Sequence, residues 1–212
     1  MAVTALLAGA GLAVSGLMLQ TAFRNPLAGP SVLGVNSGAS LGVALVMLLL
    51  GGTVSVGSFT IGGYAAVMAG AFAGSLMIMG VLLLLSSALK DTLMLLITGI
   101  MIGYLTSSVI MLLNFVSTAE GVQSYVMWGM SSFGGVSVRQ LPLFCSVTAV
   151  GLVMSLLLMK PLDLLLLGDG YARNLGVNLQ RVRNLLLLAT GILTAVITAY
   201  CGPVAFIGLS VP

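Results

Sequence analysis

Six long apolar runs shape this chain, at residues 2–23, 31–50, 62–88, 93–116, 140–159 and 184–200, and none of them contains a charged residue. A helix that crosses a bilayer needs about 20 such residues, whereas a barrel strand needs only about 9–11. Lipid offers no partner to backbone amides, so a spanning segment must satisfy its own hydrogen bonds as a helix or within a closed barrel. The runs are too long for barrel strands. The fold class that follows is all-α, a polytopic transmembrane helix bundle with six spanning segments. The chain reads as one transmembrane unit over residues 1–212, carrying a polar loop at 160–183.

The rest of the composition narrows the function. Charged residues make up 5% of the 212 and hydrophobic ones 59%, against about 25% charged in a soluble domain. A chain so poor in charge cannot cover a surface in water, so its surroundings are membrane lipid. A net charge of +3 is too small and too localised for a nucleic-acid partner. There is no His, and Cys145 and Cys201 lie in or beside apolar stretches. A His/Cys metal site, a disulfide scaffold and a bound cofactor are therefore not expected. No side-chain set suggests catalysis. The first run lacks a basic leader and is too long for a signal peptide.

Basic residues orient the bundle. The loops after the first, third and fifth runs hold Arg24, Lys90, and the group Lys160, Arg173, Arg181 and Arg183; the loops after the second and fourth hold only Arg139. Six against one places the odd loops in the cytoplasm and the N-terminus outside. That exit, and an end at Ser210-Val211-Pro212 inside an apolar stretch, lead us to expect a fragment that lacks a first helix and the last few.

Glycines recur four apart at Gly34, Gly38 and Gly42, at Gly70 and Gly74, and at Gly99 and Gly103. This spacing lets helix backbones approach closely in lipid. It is read first as tight packing, with a pore-lining role as the alternative.

Five stretches stand out from the apolar background. The first is Gln20 with Arg24-Asn25-Pro26-Leu27-Ala28, either a capped, basic helix end or a polar lining near a gate. The second is the turn Ser86 to Thr92, containing Lys90 and Asp91, either charges resting in headgroups or a cytoplasmic gate. The third, Val116 to Gln140, suits a short interfacial helix and a glycine turn. Its Tyr125 and Trp128 belong to an aromatic belt or to an outer gate. The fourth is the basic loop, where Gly168-Asp169-Gly170 breaks the chain, Tyr171 to Leu175 can form a short helix with acid at its start, and Gly176 ends it. It is either a solvated orientation signal or, as its apolar and glycine pattern favours, a two-helix knob for a partner. The fifth, Gly202-Pro203 to Pro212, interrupts an apolar run, which lipid tolerates only under protein or water cover.

Together these residues resemble the permease subunits of type II ABC importers, the FecCD/BtuC-like family that imports iron-siderophores, haem and vitamin B12. The resemblance rests on Gly16-Leu17-Met18-Leu19-Gln20 with Arg24 to Ala28, on Trp128 with Gly134-Gly135, on Leu167-Gly168-Asp169 with Ala172-Arg173-Asn174-Leu175-Gly176, and on Gly202-Pro203 with Phe206 to Leu209 and Pro212. It implies subunits of about ten helices, paired as a homodimer in a bacterial inner membrane. It also implies a cytoplasmic ABC ATPase and a periplasmic or lipid-anchored substrate-binding protein as partners. On that pattern Gly168, Asp169, Ala172, Arg173, Leu175 and Gly176 form the ATPase-coupling loop. Gln20, Arg24, Asn25, Pro26, Thr92 and Trp128 belong to the pathway and its gates. Departures are Asp169 where the family often has Glu, Ala205 where Gly is common, and the lack of an arginine pair before the first run and of a His after Pro212.

Two rival classes remain. An ion-coupled secondary transporter would place ionisable groups at mid-membrane, and no charged residue lies there. A non-transporting scaffold would bind no ATPase.

Overall fold

The computed structural model describes residues 1–51, 53–56, 59–89 and 92–212. The side chains of residues 53–56, 59–62, Thr92 and Asp169 are outside this description, as are Lys90 and Asp91 of the turn singled out above. In chain order the helices are α1 (Ala2–Phe23), α2 (Val35–Ala44, prolonged by a wide π turn over Leu45–Leu49), α3 (Tyr64–Ala88), α4 (Thr92–Val116), α5 (Ala119–Gly129), α6 (Leu141–Leu157), α7 (Met159–Leu166), α8 (Asp169–Asn174), α9 (Leu179–Cys201) and α10 (Ile207–Ser210). Among the described residues the one other regular element is an antiparallel hairpin, β1 (Thr53–Val56) with β2 (Phe59–Gly62), in which Val54 pairs with Ile61.

Among the described residues four helices, α1, α3, α4 and α9, are long and apolar enough to cross a membrane, and α6 with α7, bent by 46°, makes a fifth if the pair is taken as one span. This is a multi-pass membrane protein. The run at 31–50 differs from expectation. Pro30 and a left-handed Gly34 (φ 77°) hold residues 31–34 in a turn, so the helix begins only at Val35 and reaches Leu49 as a shorter apolar element. The bend after α6 also has a local cause: Pro161 has no N–H for the Leu157 carbonyl, so a straight helix cannot continue. The last run starts early as well. Asn178 caps α9 by accepting from the Arg181 N–H at 3.1 Å, so Arg181 and Arg183 sit on its first turns rather than in the 160–183 loop.

Cross-chain hydrogen bonds sort the connections into two ends. At one, Arg24 after α1 donates to the Leu165 carbonyl of α7 at 2.7 Å, and Gln180 of α9 donates to Ser86 of α3 at 2.8 Å. At the other, Ser117 donates to the Leu48 carbonyl at 3.0 Å, and the Ser132 N–H to the Cys201 carbonyl at 2.9 Å. The first group joins the basic connections, which is the partition that the lysines and arginines gave.

Close packing comes from the glycines. A Cβ on Gly70 would lie 2.8 Å from the Gly42 carbonyl oxygen, and one on Gly38 would lie 2.5 Å from that of Gly74. One on Gly34 would lie 2.9 Å from the Gly99 carbonyl oxygen of α4. The first of the three spaced series therefore meets both of the others, and small residues bring the backbones into contact. Helix α9 runs through the centre. Its Thr190, Thr194 and Thr198 are buried, and the first two return their hydroxyls to their own helix, Thr190 to the Leu186 carbonyl at 2.8 Å and Thr194 to the Thr190 carbonyl at 2.7 Å. Near its far end Tyr200 meets Phe144 and Phe72 edge-on, with centroids 5.5 and 6.1 Å apart.

Candidate functional site

Three regions carry the residues that the sequence singled out. The first is the knob at the basic end. Gly168 (φ 113°) separates α7 from α8, a conformation that a side chain would strain. Helix α8 then ends in a Schellman motif: the Gly176 N–H reaches the Arg173 carbonyl and the Val177 N–H the Ala172 carbonyl, both at 3.0 Å, with Gly176 at φ 83°. The Asn178 cap follows at once, so little slack separates α8 from α9. Ala172 is fully buried, anchoring α8. Leu166 at the end of the bent span, and Leu167, Tyr171 and Leu175 beyond it, are 58–69% exposed, beside exposed Arg173. Apolar residues displayed together among polar ones mark a surface that meets a partner. Of the predicted coupling residues, Asp169 opens α8 and the other five form its break, anchor, exposed face and cap.

The second region is the return of the chain after α9. Gly202 (φ 84°) turns it back, and α10 lies against the middle of α1, where a Cβ on Gly208 would be 2.9 Å from the Leu12 carbonyl oxygen. This stretch is not regular helix, so its carbonyls need partners. Asn36 of α2 donates to Val204 at 3.3 Å, and Gln20 of α1 donates to Leu209 at 3.4 Å. Asn36 in turn accepts from the Thr198 hydroxyl. An interrupted helix is thus satisfied by side-chain amides, as membrane burial demands. Beside it lies a cavity of 330 Å³ lined by Ser31, Asn36, Ser37, Ser40, Ser107 and Tyr125, among others. Sequence reasoning missed Asn36, although a lone amide in an apolar run is the same signal that identified Gln20.

The third region is α5 at the opposite end. Thr118 caps it by accepting from the Gly121 N–H at 3.2 Å. Tyr125 and Trp128 stack with centroids 6.3 Å apart. Burial raises the Tyr125 pKa above the ordinary phenol value, against a smaller lowering by a hydrogen bond with Ser40. The phenol therefore stays neutral at physiological pH.

The predicted pathway residues do not converge on one point. Arg24, in a left-handed conformation (φ 47°), ties α1 to α7. Asn25 accepts from the Leu27 N–H at 2.9 Å in a tight turn that contains Pro26. Thr92 opens α4 at the same end. Gln20 faces α10, and Trp128 is at the far end.

Comparison with known proteins gives a consistent answer. Residues 1–212 match the FecCD transport family. The chain is 37% identical over 207 residues to the vitamin B12 import system permease protein BtuC of Salmonella paratyphi A, covering 98% of this chain and 61% of the relative. It is also 37% identical to the corresponding protein of Klebsiella pneumoniae, covering 60% of that one. A solved chain of a metal-chelate type ABC transporter in an inward-facing conformation superposes with a TM-score of 0.82 at 31% identity, covering 97% of this chain and 64% of that one. The chain thus spans about 61% of the length of the curated relatives.

Proposed function

The chain belongs to the FecCD transport family, and from that premise we propose that it forms the membrane permease of a bacterial ABC importer for a preassembled metal complex, an iron chelate, haem or a corrinoid. Hydrolysis occurs on a partner ATPase, and this chain performs no bond chemistry. A binding protein delivers substrate at the α5 end, and a second copy completes the pathway. The home of the assembly is the inner membrane.

The observation that carries this reading is the α7–α8 knob. An orientation signal needs only positive charge, whereas this loop is locked by Gly168 and Gly176 and displays Tyr171 and Leu175. We assign it as the coupling element that enters a groove of the ATPase. Gln20, Arg24, Asn25, Pro26 and Thr92 then belong to the inner mouth and Trp128 to the outer gate. The serine-lined cavity beside Asn36, with the exposed Ser107 and Ser108 of α4, offers the polar surface a large solute requires between them.

The test uses the natural protein, purified with its ATPase and followed by uptake of cyanocobalamin and of a ferric hydroxamate chelate. Tyr171→Asp with Arg173→Glu should lower both ATPase co-purification and uptake about tenfold, in the range that loss of one docking contact gives. Unchanged values would remove the coupling assignment. Uptake that vanadate leaves intact and a protonophore abolishes would transfer the protein to the ion-coupled class.

A further inference from the structure

The serine-lined cavity between α2, α4, α5 and the return of the chain is polar without being charged. Its described lining comes from residues 31–40, 107–110, 125 and 203–205. No Asp, Glu, Lys or Arg occurs at 25–89, 92–119 or 184–212. The one charge on α5 is Glu120, and it lines a different cavity, with Tyr64, Ser124 and Trp128. Hydroxyls supply the polarity instead. Ser37 and Ser40 are three apart on α2, so they are neighbours on its surface, and both line the cavity, as does Ser31 in the turn before the helix. Ser40 shares a hydrogen bond with the Tyr125 phenol. Ser107 donates to the Gly103 carbonyl at 2.9 Å and keeps its oxygen as an acceptor. Asn36 is committed at both ends of its amide, donating to Val204 at 3.3 Å and accepting from Thr198. It holds the wall and leaves the serines to meet a solute.

We propose that this cavity selects metal complexes whose rim is uncharged and bears amide or hydroxyl groups, against complexes that carry carboxylates or a net negative charge. Ser31, Ser37, Ser40 and Tyr125 are the residues that determine this specificity. The proposal rests on the reading of the chain as a permease whose pathway passes the cavity. A serine hydroxyl both donates and accepts, and so does an amide, so each can satisfy the other. A carboxylate only accepts. At membrane depth it sheds water without meeting a cation, a cost that a neutral amide escapes. Of the three solutes proposed above, an iron hydroxamate and a corrinoid fit this rule, and haem, with two anionic propionates, does not. At 330 Å³ the cavity stands at the small end of the roughly 300–1,000 Å³ typical of ligand pockets. It therefore takes a side arm or an edge of the complex rather than the whole.

The experiment uses the natural protein with its ATPase in nanodiscs and measures binding by equilibrium dialysis, without the binding protein, whose own preference would mask that of the cavity. The probes are matched pairs: cyanocobalamin against its monocarboxylic acid, in which one amide is hydrolysed, and a neutral ferric trishydroxamate against an anionic ferric triscatecholate. The neutral member of at least one pair should bind about tenfold or more tightly than its anionic partner, the size expected when a buried group lacks its hydrogen-bond partner. Ser40→Lys, which brings a cation into the cavity, should shrink or reverse that ratio. Ser31→Ala with Ser37→Ala, the milder change should the lysine variant not fold, should weaken the neutral probe several-fold and move the ratio towards one. Equal affinity within both pairs would overturn the proposal, as would a ratio that neither variant moves. Uptake is then measured in proteoliposomes with the binding protein present. If no probe is bound or accumulated, the permease reading fails and takes this proposal with it. If probes are accumulated regardless of charge, or accumulated without any binding to the permease–ATPase complex, the permease reading stands and only the present proposal falls.

Discussion

Helices α9 and α4 are almost equally apolar, with mean hydropathies of 1.8 and 2.0 over their spanning windows, yet 78% of the first window and 22% of the second is buried. In water, apolar content draws a helix inward; in lipid it does not, because the tails are as apolar as leucine. The difference lies in where the small residues fall, buried among neighbours on α9 but in part exposed on α4. Helix α9 carries Ala189, Gly191, Ala195 and Ala199 with three buried threonines, so neighbours can approach it on every side. Helix α4 turns Met101, Leu105, Met111, Leu112 and Phe115 outward, along with Ser107 and Ser108. Small residues mark the centre of this bundle, and large apolar ones mark its periphery.

The strongest way to break this contrast is to enlarge a glycine at a backbone contact. Gly42→Leu should drive α2 from α3 and cost about 3 kcal/mol or more, because a backbone cannot repack as a side chain can. Gly80→Leu, where a Cβ meets nothing within 4 Å, should change stability by less than about 0.5 kcal/mol. Thermal exposure of the buried Cys201 thiol to a maleimide dye in detergent would measure both, and equal midpoints would refute the role given to close approach.

A smaller effect separates the hydroxyls. Thr198→Val removes the donor to Asn36 and should cost about 0.6–1.7 kcal/mol, the range for hydrogen bonds between membrane helices. Ser107→Ala removes a bond only to its own helix, at the Gly103 carbonyl, and should cost less than about 0.5 kcal/mol. The same assay ranks them, and a reversed order would place α4 at the structural centre.

The finest test leaves stability untouched. Cysteines at Ser107 and Ser108 should react with a membrane-impermeant maleimide faster than one at Leu84, which is 74% exposed on α3. Equal rates would mean that the exposed face of α4 meets lipid alone and lines no aqueous path.

The reach of sequence reasoning follows the same physics. Run length alone located α1, α3, α4 and α9, because crossing a bilayer is a local requirement. The knob was also legible: Gly168 and Gly176 are local breaks, and the helix between them begins two residues earlier than its predicted Tyr171. Burial rank was not legible, since it depends on which glycines meet across the bundle. The role of Asn36 and the contact of Arg183 with Ser86 were missed because the partners lie 162 residues apart at Asn36 and Thr198 and 97 residues apart at Ser86 and Arg183. The start of α2 was misplaced because the turn at Pro30 and Gly34 is apolar enough to read as helix.

The return of the chain against α1 also has a consequence for biosynthesis. Gln20 awaits a carbonyl 189 residues further along, and Asn36 awaits one 168 residues on. At a ribosomal pace of about 5–20 residues per second, the first interval lasts roughly 10–40 s. Throughout it α1 sits in the nascent bundle with an amide still lacking its final partner. The first helices therefore reach their final hydrogen bonding only when residues 204–209 have been made.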